Sequence, residues 1–245
     1  MKKTVLITGA YKGLGYEAAL QLGKKGCTII VTARSDEKSK EAANKLIDEG
    51  IDAYGVKLDV KNKADIESIS NFIAEKFGKL DVLVNNAGVQ LDFPAFMPGN
   101  STETISMENL KETFEVNFFA PIALTQKLLP LLKKSDAGRI VNLSSIMGSL
   151  QLHSQADSPI YGIKLLAYDS SKTALNQFTL HLAEALKDTS VKVNSVHPGW
   201  AKTDLGGEYA PMTIDEGAKT IVDMCTIGED GPSGAFIHMG ESLPW

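Results

Sequence analysis

Short runs rich in β-branched residues alternate along this chain with longer stretches whose apolar residues recur every three or four positions. The runs are Thr4–Ile7, Thr28–Thr32, Ala53–Leu58, Leu80–Val84, Arg139–Leu143, Val191–Val196 and Ala235–Ile237. Between them lie stretches such as Ala18, Ala19, Leu22 and, later, Leu175, Phe178, Leu182, Leu186, whose spacing is that of one helix face. Runs apolar nearly throughout belong to strands buried on both sides, so the alternation predicts an α/β fold, a doubly wound, mainly parallel sheet of about seven strands with helices on both faces. Right-handed crossovers then place the strand C-termini along one edge, where such sheets bind ligands.

At 245 residues the chain is expected to form one domain, 1–245, holding both a cofactor and a substrate site. Its 30 acidic and 25 basic residues give a net charge of −5, which argues against nucleic acid as a partner. Cys27 and Cys225 lack CxxC spacing, and His153, His181, His197 and His238 show no HxxxH pairing, so neither a disulfide scaffold nor a metal site is expected. The apolar run Val5-Leu6-Ile7 is too short for a leader and no stretch is long enough to span a bilayer, so a soluble, cytoplasmic protein without a membrane partner is expected. Three segments read as loops beyond strand ends: Asp92–Ser106, Ser149–Ile160 and Gly199–Asp215.

The first strand runs into Thr8-Gly9-Ala10-Tyr11-Lys12-Gly13-Leu14-Gly15, with a helix beginning near Tyr16. Glycines at such a turn permit tight curvature and close approach of backbone to a pyrophosphate, and the helix N-terminus offers free N–H groups to it. A plain Gly-rich turn is the alternative; the strand–turn–helix context favours phosphate binding. The spacing TGxxxGxG resembles the short-chain dehydrogenase/reductase family. Asp59-Val60, Asn85-Asn86-Ala87-Gly88, Asn117, Ser145, Tyr168 with Lys172, and Pro198-Gly199 with Thr203 follow in that family's order. The resemblance implies a single Rossmann-type domain binding a nicotinamide cofactor. Its contacts would come from Gly9, Lys12, Gly13, Leu14 and Gly15, from Asp59, Val60, Asn86, Ala87 and Gly88, and from Tyr168, Lys172, Pro198, Gly199 and Thr203.

Which nicotinamide cofactor depends on the end of the second strand, Val31-Thr32-Ala33-Arg34-Ser35. An acid that would hydrogen-bond the adenosine ribose is absent there; Ala33 takes the position and Arg34 follows. Arg34 can bind a 2′-phosphate through charge-assisted hydrogen bonds, and Lys12 can approach the same phosphate from the Gly-rich turn. NADP is therefore placed ahead of NAD, the alternative being that Lys12 and Arg34 are unrelated solvated side chains.

Tyr168 and Lys172 are four residues apart, which on a helix puts phenol and ammonium on one face. A nearby ammonium lowers a phenol's pKa, and Tyr168 could then donate a proton to a carbonyl oxygen as hydride reaches its carbon. Tyr161 and Lys164, spaced by three, are a decoy. Ser145, at the end of the fifth run, can hydrogen-bond the carbonyl oxygen, while Ser144 can cap the strand. The family likeness gives Lys172 a contact to the nicotinamide ribose and Asn117, in a long amphipathic helix, a water linking Lys172 to solvent. A buried, hydrogen-bonded structural Asn is the alternative reading of Asn117. His197, before Pro198, has no recognisable base role.

Ser145 and Tyr168 are 23 positions apart, longer than the family's usual separation. The insertion from Leu152 to about Leu166 resembles the carbonyl-reductase-like branch, as do Gly231-Pro232-Ser233-Gly234-Ala235-Phe236, Leu243-Pro244-Trp245 and the stretch from Pro198 to Asp204. The implied activity is NADPH-dependent reduction of an aldehyde, ketone or quinone, a small-molecule substrate. A reductase of ketoacyl-carrier or hydroxysteroid type, or a non-catalytic NADP-binding regulatory protein, are the alternatives. Phe93, Phe96, Met97, Met147, Leu152 and Trp200 are candidates for an apolar substrate pocket, or else ordinary loop packing. The insertion would also cover a surface through which relatives associate, favouring a monomer or homodimer over a larger homo-oligomer.

Overall fold

The computed structural model describes residues 2–93 and 99–245. Its eight-stranded sheet has the order β3-β2-β1-β4-β5-β6-β7-β8. The strands are β1 (Thr4–Ile7), β2 (Thr28–Ala33), β3 (Ala53–Lys57), β4 (Val82–Asn85), β5 (Arg139–Leu143), β6 (Lys192–Val196), β7 (Ala235–His238) and β8 (Glu241–Ser242). All pairings are parallel except β7 with β8, a two-residue return strand beyond the seven apolar runs. Glu241 and Ser242 are exposed, so no hydrophobic signal marks them. Leu80, at the head of the fourth run, is buried but precedes β4.

Helices α1 (Gly13–Lys24), α2 (Asp36–Asp48), α3 (Lys63–Phe77), α4 (Met107–Phe114), α5 (Ala120–Leu132), α6 (Leu150–Ser154), α7 (Leu166–Ala185) and α8 (Ile214–Thr226) pack on the two faces. β1 shows why its run carries no polar residue after Thr4: Val5 and Ile7 enter the core beneath α1, α2 and α8, while Leu6 enters the opposite core beneath α3, α5 and α7. Alternate side chains thus serve two buried layers. Local signals set the helix starts and ends. The Ser35 hydroxyl accepts the Lys38 N–H, Asn62 caps α3, a capping box joins Thr213 to Glu216, and α3 stops at Gly78 with φ +73°.

Two local expectations change. The segment Ser149–Ile160 is not all loop, because α6 forms within it behind the Ser149 cap. The long helix expected around Asn117 is interrupted: Glu115–Phe119 is a π turn between α4 and α5. The wider turn carries an extra residue, a feature frequent at functional sites. Chain order reverses between β1 and β4, and the loops beyond these strand ends converge there.

Candidate active site

A cleft of about 1020 Å³ opens at that reversal, lined by the Gly-rich turn, the ends of β2 to β6, the insertion and the segment after Pro198. The Gly-rich turn is locked to the segment after β4. The Thr8 hydroxyl accepts the Asn86 and Ala87 N–H groups, both at 2.9 Å, and Asn86 Nδ2 donates to the Thr8 carbonyl at 2.7 Å. A Cβ on Gly15 would stand 2.5 Å from Asn86 Nδ2, so that close approach requires glycine. Gly9, at φ +63°, turns the chain out of β1.

Around this turn the structure gathers Gly9, Lys12, Gly13, Leu14, Arg34, Asp59, Val60, Asn86, Ala87 and Gly88, together with Pro198, Gly199 and Thr203. Gly15 sits behind them, buried in α1. Arg34 is exposed at the end of β2. Lys12 forms an ion pair with Asp204 of the opposite loop, a partner its sequence position did not suggest. Asp59 accepts the Lys61 N–H, and Lys61 pairs with Glu112 at 2.7 Å at the cleft margin.

Tyr168, Lys172, Ser144 and Ser145 line the same cleft. Tyr168 is almost buried among Met147, Ile160 and Leu165. Burial pushes its phenol up to about 12, opposed by a hydrogen bond with Ser145 and assisted by the charge of Asp169. The expectation that Lys172 would pull this phenol down therefore fails. Lys172 Nζ donates to the Leu143 carbonyl at 2.7 Å and lies 5.5 Å from the centroid of the Tyr168 ring. Burial lowers the ammonium itself to about 8. Its charge is committed to a backbone oxygen, and desolvation of the phenol prevails.

Asn117 is buried on the π turn, where its Oδ1 accepts the Val89 N–H at 2.8 Å and its Nδ2 donates to the Val89 carbonyl and Ser171 Oγ. Beneath the site a polar chain crosses the sheet. Asn85 donates to Asn142, Asn142 donates to Thr179 on α7, and Thr179 shares a hydrogen bond with Ser195. Every member is satisfied, so the chain fixes α7 over the strand ends. Asn142, Thr179 and Ser195 escaped sequence reasoning because only the sheet order brings them to Asn85. His197 is pushed down to about 3 by burial and the neighbouring His238, and its ring is neutral.

Of the apolar pocket candidates, Met147 and Trp200 line the cleft, and Phe93 and Leu152 pack against the cluster holding Tyr168. Phe96 and Met97 lie outside the described residues. From the insertion, Ile160 and Ile163 reach the cleft wall. Among the described residues, no helix is long and apolar enough to cross a membrane.

Residues 3–213 match the family model described as short chain dehydrogenase. The chain is 31% identical to (-)-isopiperitenone reductase of Mentha piperita over 99% of its own length and 98% of the relative's. Among solved structures, NADPH-bound carbonyl reductase from chicken fatty liver superposes with a TM-score of 0.86 at 27% identity, covering 100% of this chain and 99% of the other. The carbonyl reductase Sniffer of D. melanogaster superposes with a TM-score of 0.83 at 30% identity, covering 100% of both chains.

Proposed function

The chain belongs to the short-chain dehydrogenase/reductase family, and from that premise we propose that it reduces the carbonyl of an aldehyde, ketone or quinone to an alcohol with NADPH. The observation that carries the reading is the convergence of Ser145, Tyr168 and Lys172 on the wall of one cleft with the Gly-rich turn. NADP fits the residues present: a Gly-rich turn whose Gly9 and Gly13, both at positive φ, line the cleft, and an exposed Arg34 directly after Ala33, which takes the position of a ribose-binding acid. Gly9, Gly13, Leu14, Asn86, Ala87 and Gly88 would hold the dinucleotide, with Asp59 and Val60 on the adenine side and Pro198, Gly199 and Thr203 on the nicotinamide side. Arg34 and Lys12 would meet the 2′-phosphate, Lys12 by leaving Asp204. Bound NADPH supplies the hydride.

The Ser145 hydroxyl and the Tyr168 phenol hold the substrate carbonyl oxygen and stabilise its growing negative charge. Tyr168 transfers its proton to that oxygen. A phenol raised to about 12 remains protonated through the neutral range, which suits a donor in the reductive direction. Lys172, still charged at neutral pH, orients the nicotinamide ribose and returns a proton towards Tyr168. Asn117 uses the second lone pair of Oδ1 to take a water beside Lys172. Met147, Ile160, Ile163 and Trp200 give the cleft an apolar wall, suited to a bulky carbonyl.

The test is NADPH consumption, followed by absorbance, over a panel of aldehydes, ketones and quinones, each run also with NADH. Turnover with NADPH is expected, and Tyr168→Phe should lose roughly 10²- to 10⁴-fold in kcat. A Phe variant matching wild type on every carbonyl turned over would refute the mechanism. Absence of turnover across the panel, with NADPH still bound, would favour a non-catalytic NADP-binding protein.

A further inference from the structure

Tyr168 is the third residue of α7, so the place of its phenol depends on how the first turn of that helix is held. Asp169 holds the Leu165 N–H, but the residues entering the helix supply no side-chain acceptor for its first-turn N–H groups. Leu165 occupies the cap position and has no side-chain acceptor, and the preceding insertion separates the helix from Ser145 by a long excursion. The first-turn donors are nevertheless satisfied, and by a distant segment. Leu166 N donates to Ser101 Oγ at 2.8 Å, Ala167 N to Asp92 Oδ1 at 2.9 Å and Tyr168 N to Asp92 Oδ2 at 3.0 Å.

Asp92 and Ser101 act as one unit. Ser101 Oγ donates to Asp92 Oδ1 at 2.6 Å, and Ser101 N donates to the Lys164 carbonyl at 2.9 Å, immediately before the helix. Both residues are buried, and a carboxylate is the favoured group at a helix N-terminus. Asp92 also lies four residues beyond Gly88, where a Cβ would stand 3.3 Å from Asn117 Oδ1 and 3.5 Å from Lys172 Nζ. One short stretch therefore touches the surroundings of Lys172 at one end and the backbone of Tyr168 at the other.

We infer that Asp92, supported by Ser101, is a positioning residue for the proton donor: its carboxylate replaces the missing local cap of α7 and fixes the backbone that carries the phenol. The inference rests on Tyr168 being that donor. Deleting the carboxylate lets the first turn fray or shift, and the phenol loses its register with Ser145. The cofactor cradle, built on other elements, is left intact.

The experiment compares Asp92→Asn, Asp92→Ala and Ser101→Ala for kcat on a carbonyl turned over by the wild type, for NADPH Kd by fluorescence quenching, and for melting temperature. Asn keeps one acceptor but presents an amide N–H to the other backbone donor, so it should rescue only in part. Because a misplacement of about 1 Å can cost ~10²-fold, kcat is expected to fall about tenfold in Asp92→Asn and further in Asp92→Ala, with NADPH Kd within about twofold of wild type. Ser101→Ala leaves the carboxylate in place and should show a smaller loss of the same kind; it keeps the test readable if the Asp92 variants do not fold.

A structural role alone would slow Tyr168→Phe as much as it slows the wild type. The inference expects Asp92→Asn to add no further loss in the Tyr168→Phe background. Unchanged kcat in folded Asp92→Ala, a loss residing in NADPH Kd, or an equal loss in the Phe background would each overturn it. Wild-type rates for Tyr168→Phe alone would overturn the proton-donor assignment and this inference together. A slow Phe variant beside an unimpaired Asp92→Ala overturns this inference alone.

Discussion

Asp169, next to the proposed proton donor Tyr168, is a buried carboxyl whose titration should be visible in the stability of the protein. Its Oδ2 accepts the Leu165 N–H at 2.8 Å, and its Oδ1 has no hydrogen-bond partner. Burial raises its pKa from 3.8 to about 8; the Leu165 N–H and Lys164 oppose the shift, and the charge of Asp92 adds to it. His153 Nε2 lies 3.3 Å away, but burial lowers that imidazole's pKa, so the contact joins two neutral groups rather than an ion pair at neutral pH. A carboxyl raised in the folded state binds protons there that the unfolded chain has released. Its contribution is therefore fully present below about pH 4 and is lost as pH rises through about 8.

Asp169→Asn removes this titration while keeping an oxygen for the Leu165 N–H. At roughly 1.4 kcal/mol per pH unit, the wild type should lose up to about 4 kcal/mol relative to the variant between pH 5 and pH 8. For a domain of this size, that is on the order of 10 °C in the difference of melting temperatures. Lys172 titrates in the opposite sense. Its folded value is lowered from 10.5 to about 8, so its contribution to stability rises with pH mainly between about 8 and 10.5, above this series, and being common to both proteins it cancels in the difference. Thermal melts of wild type and variant at pH 5, 6, 7 and 8 provide the measurement. A difference that stays flat across the series would mean that Asp169 is already ionised in the folded protein, and the burial argument would be refuted.

Three further outcomes are expected. Arg34→Asp should lower kcat/KM for NADPH about tenfold or more, through loss of a charge-assisted hydrogen bond and added repulsion, and shift preference towards NADH; an unchanged ratio in steady-state kinetics would remove Arg34 from the 2′-phosphate site. Gly15→Ala should cost about 1 to 3 kcal/mol in denaturant melts, because its Cβ would be driven against Asn86 Nδ2 and would break the clasp on the Gly-rich turn. Asp204→Asn should release Lys12 from its exposed ion pair and tighten NADPH binding, with an effect that shrinks as salt is added; weaker binding at low salt would show that Asp204 orders the loop rather than competing for Lys12.

Much of the fold follows from local pattern. β1 and β5 coincide with their apolar runs, because a strand buried on both faces admits few polar residues and leaves a contiguous signal. The proposed catalytic pair is legible for a similar reason: four-residue spacing on a helix puts Tyr168 and Lys172 on one face whatever surrounds them. The return strand β8 leaves no such mark, being exposed and two residues long. The π turn at Asn117 is equally silent, since a helix that admits one extra residue keeps almost the same apolar rhythm.

Residue type and short-range spacing suffice to specify the parallel sheet, the Gly-rich turn and the spacing that puts Tyr168 and Lys172 on one helix face. The tertiary structure alone decided how those groups behave. Lys172 spends its charge on the Leu143 carbonyl, Lys12 meets Asp204, burial raises Tyr168 instead of letting Lys172 lower it, and Asp92 caps a helix more than seventy residues further along the chain. Protonation and register depend on desolvation and on the partners that long-range packing supplies, and residue spacing along the chain encodes neither.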